Sequence, residues 1–265
     1  MSDSVRLAKR LAVEQSCSRG DAERYVEGGW VAVNGKVVEE PGFRVRPDQE
    51  VRLLPGARLE EIRPVTVLVH KPAGLSASLS ASLSASLSAS PASGPAADLP
   101  RSGPARSALD LILPDNLMPG DRSGQRYLKR MFHGLALATP LERAASGLVV
   151  YSQEYAVTRK LVQEGRDVEQ EYIAQVRGTL DAAGLARLQR GLPYEGRPAV
   201  PMKVSWQNET HLRFALKTPA LGFIEYACDS VGLQLQALRR IRIGRLPMAG
   251  LAVGQWRYRL GYERF

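Results

Sequence analysis

Arginine dominates the chemistry available at the C-terminal end of this sequence. The last 29 residues hold seven arginines, opposed by Glu263 alone. The whole chain of 265 residues carries 36 Lys and Arg against 27 Asp and Glu, which gives a formal net charge of +9. These numbers indicate a polyanionic partner, because clustered cations gain free energy by releasing counterions condensed on phosphates. Arg239 and Arg240 lie in this basic stretch and are candidate phosphate contacts.

Cysteine and histidine offer little for metal chemistry. Cys17 and Cys228 are far apart and fit no metal-ligand spacing, and the chain has only three histidines to complete a site. We therefore expect no bound metal, and we interpret His70 and His133 as ordinary, partly buried residues. The sequence also lacks a Gly-x-Gly-x-x-Gly fingerprint and a Walker-type loop, which disfavours binding of an unrelated nucleotide or metabolite.

The N-terminal segment, MSDSVRLAKR, leads into an amphipathic helical pattern. It has no apolar signal core, and no apolar run in the chain approaches the roughly 20 residues that span a bilayer. We expect a soluble, cytoplasmic protein without a membrane partner, and a monomer.

Residues 1–62 predict a small domain of two helices followed by a twisted sheet. Ser18 is placed to cap the second helix, with Asp21 in its first turn. Gly28-Gly29 should end that helix, and Asn34-Gly35 between two apolar runs predicts a two-residue hairpin.

Residues 63–265 predict a larger second domain. Strand and helix signals alternate without a regular strand–helix–strand rhythm, so we expect a mixed, mostly antiparallel α+β fold. Residues 76–106 interrupt this domain with a repeated Ser-Ala-Ser-Leu tetrapeptide and a Pro/Gly/Ala/Ser-rich continuation. Such a composition has too few large apolar groups to offset the entropy of ordering, which predicts a flexible insertion, most simply a repeat expansion without a role.

The motifs of residues 4–54 resemble the S4-type RNA-binding module. The matching residues occur in the order and spacing of that module: Arg6-Leu7-x-Lys9-Arg10-Leu11, Ser18-Arg19-x-x-Ala22-Glu23 and Gly29-x-Val31-x-Val33-Asn34-Gly35. Two short helices could then present four cations to RNA phosphates and recognise backbone shape in preference to base edges: Lys9, Arg10, Arg19 and Arg24. A solvated helical face is the alternative, because residues 1–62 hold ten basic and eleven acidic residues.

The motifs of the second domain resemble those of the bacterial ribosomal pseudouridine synthases, the family of RsuA and RluF. Four segments carry the likeness: Lys-Pro-Ala-Gly at 71–74, Leu-Glu-Arg-Ala-Ala-Ser-Gly-Leu at 141–148, Glu-Gln-Glu-Tyr at 169–172 and Leu-Arg-Arg-Ile-Arg-Ile-Gly at 238–244. Together with the N-terminal module, the resemblance covers almost the whole chain except the serine-rich insertion.

The resemblance implies a catalytic site for uridine in ribosomal RNA. The reaction breaks the N-glycosidic bond and rejoins the base through carbon, which requires a carboxylate and an aromatic floor but no cofactor. The target nucleotide must leave its helix to be reached. By this resemblance Glu142 is the catalytic carboxylate, Tyr172 packs against the flipped uracil, and Lys71 belongs to the RNA-binding set with Arg239 and Arg240.

Several positions depart from the family's pattern. Glu142 replaces an aspartate, and Thr139-Pro140 replaces the Gly-Arg that precedes it. Gln170 replaces a lysine, and Gly222 falls where an arginine should pair with the carboxylate. The extra methylene moves the carboxylate by about 1 Å, a displacement that can cost about 10²-fold in rate. Two hypotheses remain open: an active pseudouridine synthase that uses Glu142, and a catalytically degenerate homologue that binds ribosomal RNA or assists ribosome assembly.

Overall fold

The computed structural model describes residues 4–59, 63–77 and 107–265. Most of the insertion predicted at 76–106 therefore lies outside the described residues. Ser76 and Ser107, which flank it, pair with each other as an isolated bridge.

The chain forms two compact units. The N-terminal unit comprises Met1–Val65 together with Gln125–Gly134, and the C-terminal unit comprises Thr66–Gly124 and Leu135–Phe265. The boundary expected from the sequence lay after residue 62. The return of Gln125–Gly134 to the N-terminal unit was not predicted, because a short segment of this kind carries no local signal for the surface on which it packs.

Short strands surround two helices in the N-terminal unit. Its elements are β1 (Val5–Arg6), α1 (Leu7–Glu14), α2 (Arg19–Glu27), β2 (Val31–Val33), β3 (Lys36–Val37), β4 (Arg44–Val45), β5 (Val51–Leu53) and a 3₁₀ turn (Lys129–Phe132). The Ser18 hydroxyl accepts a hydrogen bond from the Asp21 N–H at 3.0 Å, and Asn34 and Gly35 take positive φ values of 49° and 79° between β2 and β3. The predicted helix cap and hairpin are confirmed.

The core of the N-terminal unit follows from helical spacing. Leu7 and Leu11 lie four residues apart on α1, Ala22 and Val26 lie four apart on α2, and all four are fully buried. Each buried leucine contributes about 1.5–3 kcal/mol relative to an exposed one. Val13, which the sequence pattern placed on the same helix, faces away and stays 76% exposed.

The C-terminal unit is built on one large sheet. Its strands are β6 (Thr66–Lys71), β7 (Ala136–Leu137), β8 (Ser146–Ser152), β9 (Glu169–Arg177), β10 (Lys203–Asn208), β11 (His211–Lys217), β12 (Gln234–Ile243), β13 (Leu246–Pro247) and β14 (Trp256–Tyr258). The main path runs β10-β11-β9-β12-β8-β6-β14, with β13 paired to β12 and β7 to β8. Among the described residues only β8 and β12 pair in parallel. The predicted mixed, mostly antiparallel α+β fold is confirmed.

Helices and turns of the C-terminal unit are short. They are α3 (Tyr155–Thr158), which continues as a π-helical turn (Arg159–Gln163), α4 (Ala182–Arg190), α5 (Phe223–Asp229) and 3₁₀ turns at Ala108–Leu111, Pro114–Asn116 and Gly165–Asp167. No helix within the described ranges is long and apolar enough to cross a membrane. The main core lies between the sheet and the α3 segment, where Leu68, Leu148, Val150, Leu161 and Ile243 are buried together.

Candidate functional site

Glu142 lies in the loop that leads into β8. Its side chain is partly exposed, and its Oε1 accepts a hydrogen bond from the Gly222 N–H at 2.9 Å. None of the ion pairs formed among the described residues includes this carboxylate. The Glu142 carboxylate is thus held by a backbone donor, and it keeps oxygen atoms for another partner.

Gly222 occupies the position that sequence alignment assigned to the carboxylate's partner. It precedes α5 with a φ of 80°, a left-handed conformation that favours glycine. A Cβ built at this position would lie 2.9 Å from the Tyr194 hydroxyl, so a larger residue there requires that hydroxyl to move. The expected pairing position therefore does meet Glu142, but through a peptide N–H instead of a guanidinium.

Lys71 holds the loop that carries Glu142. The side chain is fully buried, and its ammonium donates to the carbonyls of Pro72, Leu75, Arg143 and Ala145. Burial and, to a smaller extent, the Arg240 charge lower the Lys71 pKa to about 8, and the Glu142 charge opposes them. The expectation that Lys71 contacts RNA is not met, because four protein carbonyls enclose its ammonium away from solvent.

Arg240 is likewise buried, with 1% of its surface exposed. Its guanidinium donates to the carbonyls of Leu148, Pro140 and Thr139 and to the Gln170 side-chain oxygen. The guanidinium makes these hydrogen bonds to groups inside the protein, so the expectation that Arg240 contacts RNA is not met either. Its neighbour Arg239 is exposed, because adjacent residues of a strand point to opposite faces.

Tyr172 is buried beside Arg240. Its hydroxyl donates to the Gln170 side-chain oxygen at 2.7 Å, and the Arg240 guanidinium carbon lies 6.0 Å from the ring centroid. Burial raises the Tyr172 pKa, Arg240 opposes this, and the Glu142 charge raises it further. The hydroxyl is therefore neutral near pH 7, and the Glu142 charge lies close enough to influence its pKa.

Strand register explains why these side chains meet. Gly147 of β8 pairs with Arg240 of β12, and Arg240 pairs with Tyr172 of β9. Lys71 of β6 pairs with Gly147 on the other side. A Cβ on Gly147 would lie 2.2 Å from the Arg240 carbonyl oxygen, so β8 and β12 reach this spacing only with glycine at that position.

Known proteins that resemble this chain in sequence include RNA pseudouridine synthases. The S4 domain model matches residues 5–51. Escherichia coli K12 dual-specificity RNA pseudouridine synthase RluF is 23% identical over 96% of this chain and 75% of its own length. Ribosomal large subunit pseudouridine synthase B of Bacillus subtilis is 24% identical over 95% of this chain and 91% of its own length.

The chain contains an S4 domain and is similar over nearly its whole length to RNA pseudouridine synthases. A crystal structure of a pseudouridylate synthase has the same fold, with a TM-score of 0.54 and 15% identity over 97% of this chain and 96% of that one. The resemblance drawn from the sequence motifs is confirmed.

Within this pseudouridine synthase fold, an aromatic cluster that the sequence did not suggest adjoins Gly222. The Tyr194 ring centroid lies 5.7 Å from that of Phe223 and 5.1 Å from that of Tyr226. Burial raises the Tyr194 pKa, and nearby carboxylates including Glu142 raise it further. The sequence signal for α5 is a glycine followed by apolar residues at the helical positions Phe223, Ile224, Ala227 and Cys228.

The S4 domain's candidate cations have different environments. Arg10 donates to Glu14 and to the Arg46 carbonyl, so it is committed to structure. Lys9, Arg19 and Arg24 are exposed, although Arg19 and Arg24 each have a carboxylate of α2 nearby. These three remain candidate RNA contacts.

Proposed function

We propose that this chain isomerises uridine to pseudouridine in structured ribosomal RNA, with Glu142 as the catalytic carboxylate. In that reaction the bond between N1 of uracil and C1′ of ribose breaks, the base turns, and C5 bonds to C1′. The C5 proton leaves and N1 takes up a proton, so composition is unchanged and no oxidant or reductant is needed. A carboxylate can serve as the nucleophile or as the base in such a sequence.

The single observation that carries this proposal is the position of Glu142. Its partly exposed carboxylate is oriented by the Gly222 N–H, and its charge acts on Lys71 and on Tyr172. A partly exposed negative group suits a base extruded from an RNA strand. The relatives from Escherichia coli and Bacillus subtilis support the substrate class, because both are named as RNA pseudouridine synthases.

Two buried cations hold the elements around Glu142 in place. In this proposal Lys71 and Arg240 are positioning residues: Lys71 fixes the loop that contains Glu142, and Arg240 fixes the edge of β8 and the Tyr172 hydroxyl through Gln170. Tyr172 is the aromatic residue that the sequence resemblance assigns to the uracil, and its ring is buried beside Arg240. RNA phosphates are bound by the exposed cations, which include Arg239 and the S4-domain residues Lys9, Arg19 and Arg24.

The test is pseudouridine formation in transcribed bacterial ribosomal RNA, detected by primer extension after carbodiimide treatment. We expect wild-type protein to produce a modified site and Glu142→Gln to lower the rate by about 10²–10⁴-fold, since the variant keeps the shape but loses the proton acceptor. Glu225→Gln, an exposed carboxylate on α5, is the matched control and should retain activity. RNA binding without any product from wild-type protein would refute the enzymatic role.

A further inference from the structure

A basic segment distant in sequence completes the N-terminal unit. Residues 122–133 contain four Lys or Arg, Arg122, Arg126, Lys129 and Arg130, and no Asp or Glu. The stretch Gln125–Gly134 belongs to the N-terminal unit although about 70 residues separate it from the end of β5. We call Gln125–Gly134 the basic segment.

Apolar and backbone contacts fix the basic segment in place. Leu128 and Met131 are buried, with 8% and 5% exposure. A Cβ on Gly29 would lie 2.8 Å from the Leu128 side chain, so the glycine leaves the space that this leucine fills. The Lys129 N–H donates to the Glu39 carboxylate at 2.7 Å. The segment is therefore an integral part of the unit.

Two arginines of the basic segment also contact the S4 domain through their side chains. The Arg126 guanidinium carbon lies 4.7 Å from the Trp30 ring centroid, a cation–π arrangement. Arg130 forms an ion pair with Glu27 near the end of α2. Half of the Arg130 side chain stays exposed, so its charge still acts on the surrounding solvent.

The basic segment changes the charge of the N-terminal unit. Residues 1–65 carry eleven Lys and Arg and eleven Asp and Glu, so their formal net charge is zero. Gln125–Gly134 adds Arg126, Lys129 and Arg130 without an acidic residue, and the unit as a whole becomes +3. An RNA-binding module that is neutral on its own thus gains its positive potential from a segment elsewhere in the chain.

The added cations line a concave surface. An open concavity of about 1370 Å³ lies within the N-terminal unit, and its basic lining side chains include Arg24, Lys129 and Arg130. Glu27 and Glu39 also line it: Glu27 is paired with Arg130, whose side chain stays half exposed, and Glu39 accepts from the Lys129 backbone N–H, a contact that does not use the Lys129 ammonium. Glu40 contributes a further acidic group. We call this surface the basic concavity.

We infer that the basic concavity binds the phosphate backbone of RNA, with Lys129 and Arg130 acting together with Arg24 of the S4 helix α2. Lys and Arg on a concave face focus the field and attract a polyanion. The site is continuous with the S4 module through Arg24 and adds cations that the module itself lacks. The inference rests on the proposed RNA ligand and adds the residues that bind its backbone.

The test compares Lys129→Ala with Arg52→Ala in the full-length protein. Both residues are exposed cations of the N-terminal unit, but Arg52 lies on β5 and does not line the basic concavity. Affinity for a labelled transcript of large-subunit ribosomal RNA is measured by fluorescence anisotropy between about 50 and 200 mM KCl. For each RNA phosphate that a variant no longer neutralises, the slope of log K against log salt should become shallower by about 0.7–0.9.

We expect Lys129→Ala to weaken binding by about 3–10-fold and to reduce the salt slope by about 1, and Arg52→Ala to change affinity by less than about twofold. Glu40→Gln should strengthen binding, because it removes a negative charge from the same surface. Equal effects of Lys129→Ala and Arg52→Ala would show a general charge effect and overturn the inference.

Pseudouridine formation, measured in parallel, separates this inference from the proposed function. Product formation with unchanged affinity in Lys129→Ala would overturn the basic concavity and leave the enzymatic role intact. Absence of both RNA binding and product with wild-type protein would overturn both. Reduced affinity in Lys129→Ala supports the inference even if no product forms.

Discussion

At the scale of single residues, Glu142 and Gly222 form a hydrogen-bonded pair. A glutamate side chain is one methylene longer than aspartate, and its carboxylate is met by the peptide N–H of Gly222 at 2.9 Å. A residue with a side chain at 222 would collide with Tyr194 in this conformation. The two departures from the family pattern therefore belong together: the longer acid reaches a backbone donor that the glycine brings close.

Lys71 provides a test at this scale. Lys71→Met should lower the free energy of unfolding by about 2–4 kcal/mol at pH 7, because buried carbonyls lose their donor. The Lys71 pKa is lowered from 10.5 to about 8 in the folded protein. Between these two values the unfolded chain holds a proton that the folded protein has released, so this residue makes the wild type more stable as pH rises.

The destabilisation caused by Lys71→Met should therefore grow from pH 8 towards pH 10, by up to about 1 kcal/mol per pH unit. Urea unfolding of both proteins at several pH values in this range measures the difference. A difference that stays constant with pH would show that folding does not lower the pKa of Lys71.

At the scale of secondary-structure elements, the site depends on the register of the sheet and on the position at which α5 begins. The row Gly147, Arg240 and Tyr172 crosses β8, β12 and β9, and the parallel contact between β8 and β12 requires glycine at 147. Helix α5 then brings Gly222 to the carboxylate. A single slip of register would turn Arg240 or Tyr172 to the opposite face.

The start of α5 can be tested by Gly222→Ala, with Gly232→Ala as the matched control. Both glycines have φ near 80°, but a Cβ at Gly232 meets no atom within 4 Å, whereas one at Gly222 meets Tyr194. Both variants should lose about 1 kcal/mol of stability from the left-handed backbone. Only Gly222→Ala should also lower kcat for pseudouridine formation, by about tenfold or more, because the donor to Glu142 shifts.

Thermal unfolding and single-turnover kinetics give the two readouts for this pair. Equal kcat values in the two variants would show that the Gly222 N–H does not orient the catalytic carboxylate.

At the scale of the whole molecule, residues 80–104 of the serine-rich insertion contribute nothing to the net charge of the chain. The chain carries a net charge of +9, and residues 80–104 contribute only Asp98 and Arg101. Ser76 and Ser107 are already paired at the flanks, and the Tyr151 hydroxyl donates to the Ala77 carbonyl. The described residues that flank the insertion are therefore held by their own contacts, which do not depend on the length of the insertion.

Replacing residues 80–104 by a short Gly-Ser linker should therefore leave activity and RNA affinity within about twofold and raise stability by at most about 1 kcal/mol, since a shorter loop costs less entropy to close. A Gly/Ser segment of the original length is the control. Loss of RNA affinity in the shortened protein, with normal thermal unfolding, would show that the insertion has a function.

The sequence by itself determined the features that local signals encode. Ser18 as a cap, Asn34-Gly35 as a hairpin and the α+β fold follow from preferences that act over a few residues, and the order of motifs predicted the similarity to RNA pseudouridine synthases. Tertiary structure alone decided which cations are available to RNA. Lys71 and Arg240 look like phosphate ligands in sequence but are enclosed by carbonyls from distant loops.

Tertiary structure also decided where the basic segment packs and which side chain the Gly222 N–H meets. Leu128 and Lys129 meet Gly29 and Glu39 only after packing, and the Gly222 N–H meets Glu142 across 80 positions of the chain. Contacts of this range depend on strand register and on the fit of buried side chains, which no short stretch of sequence specifies.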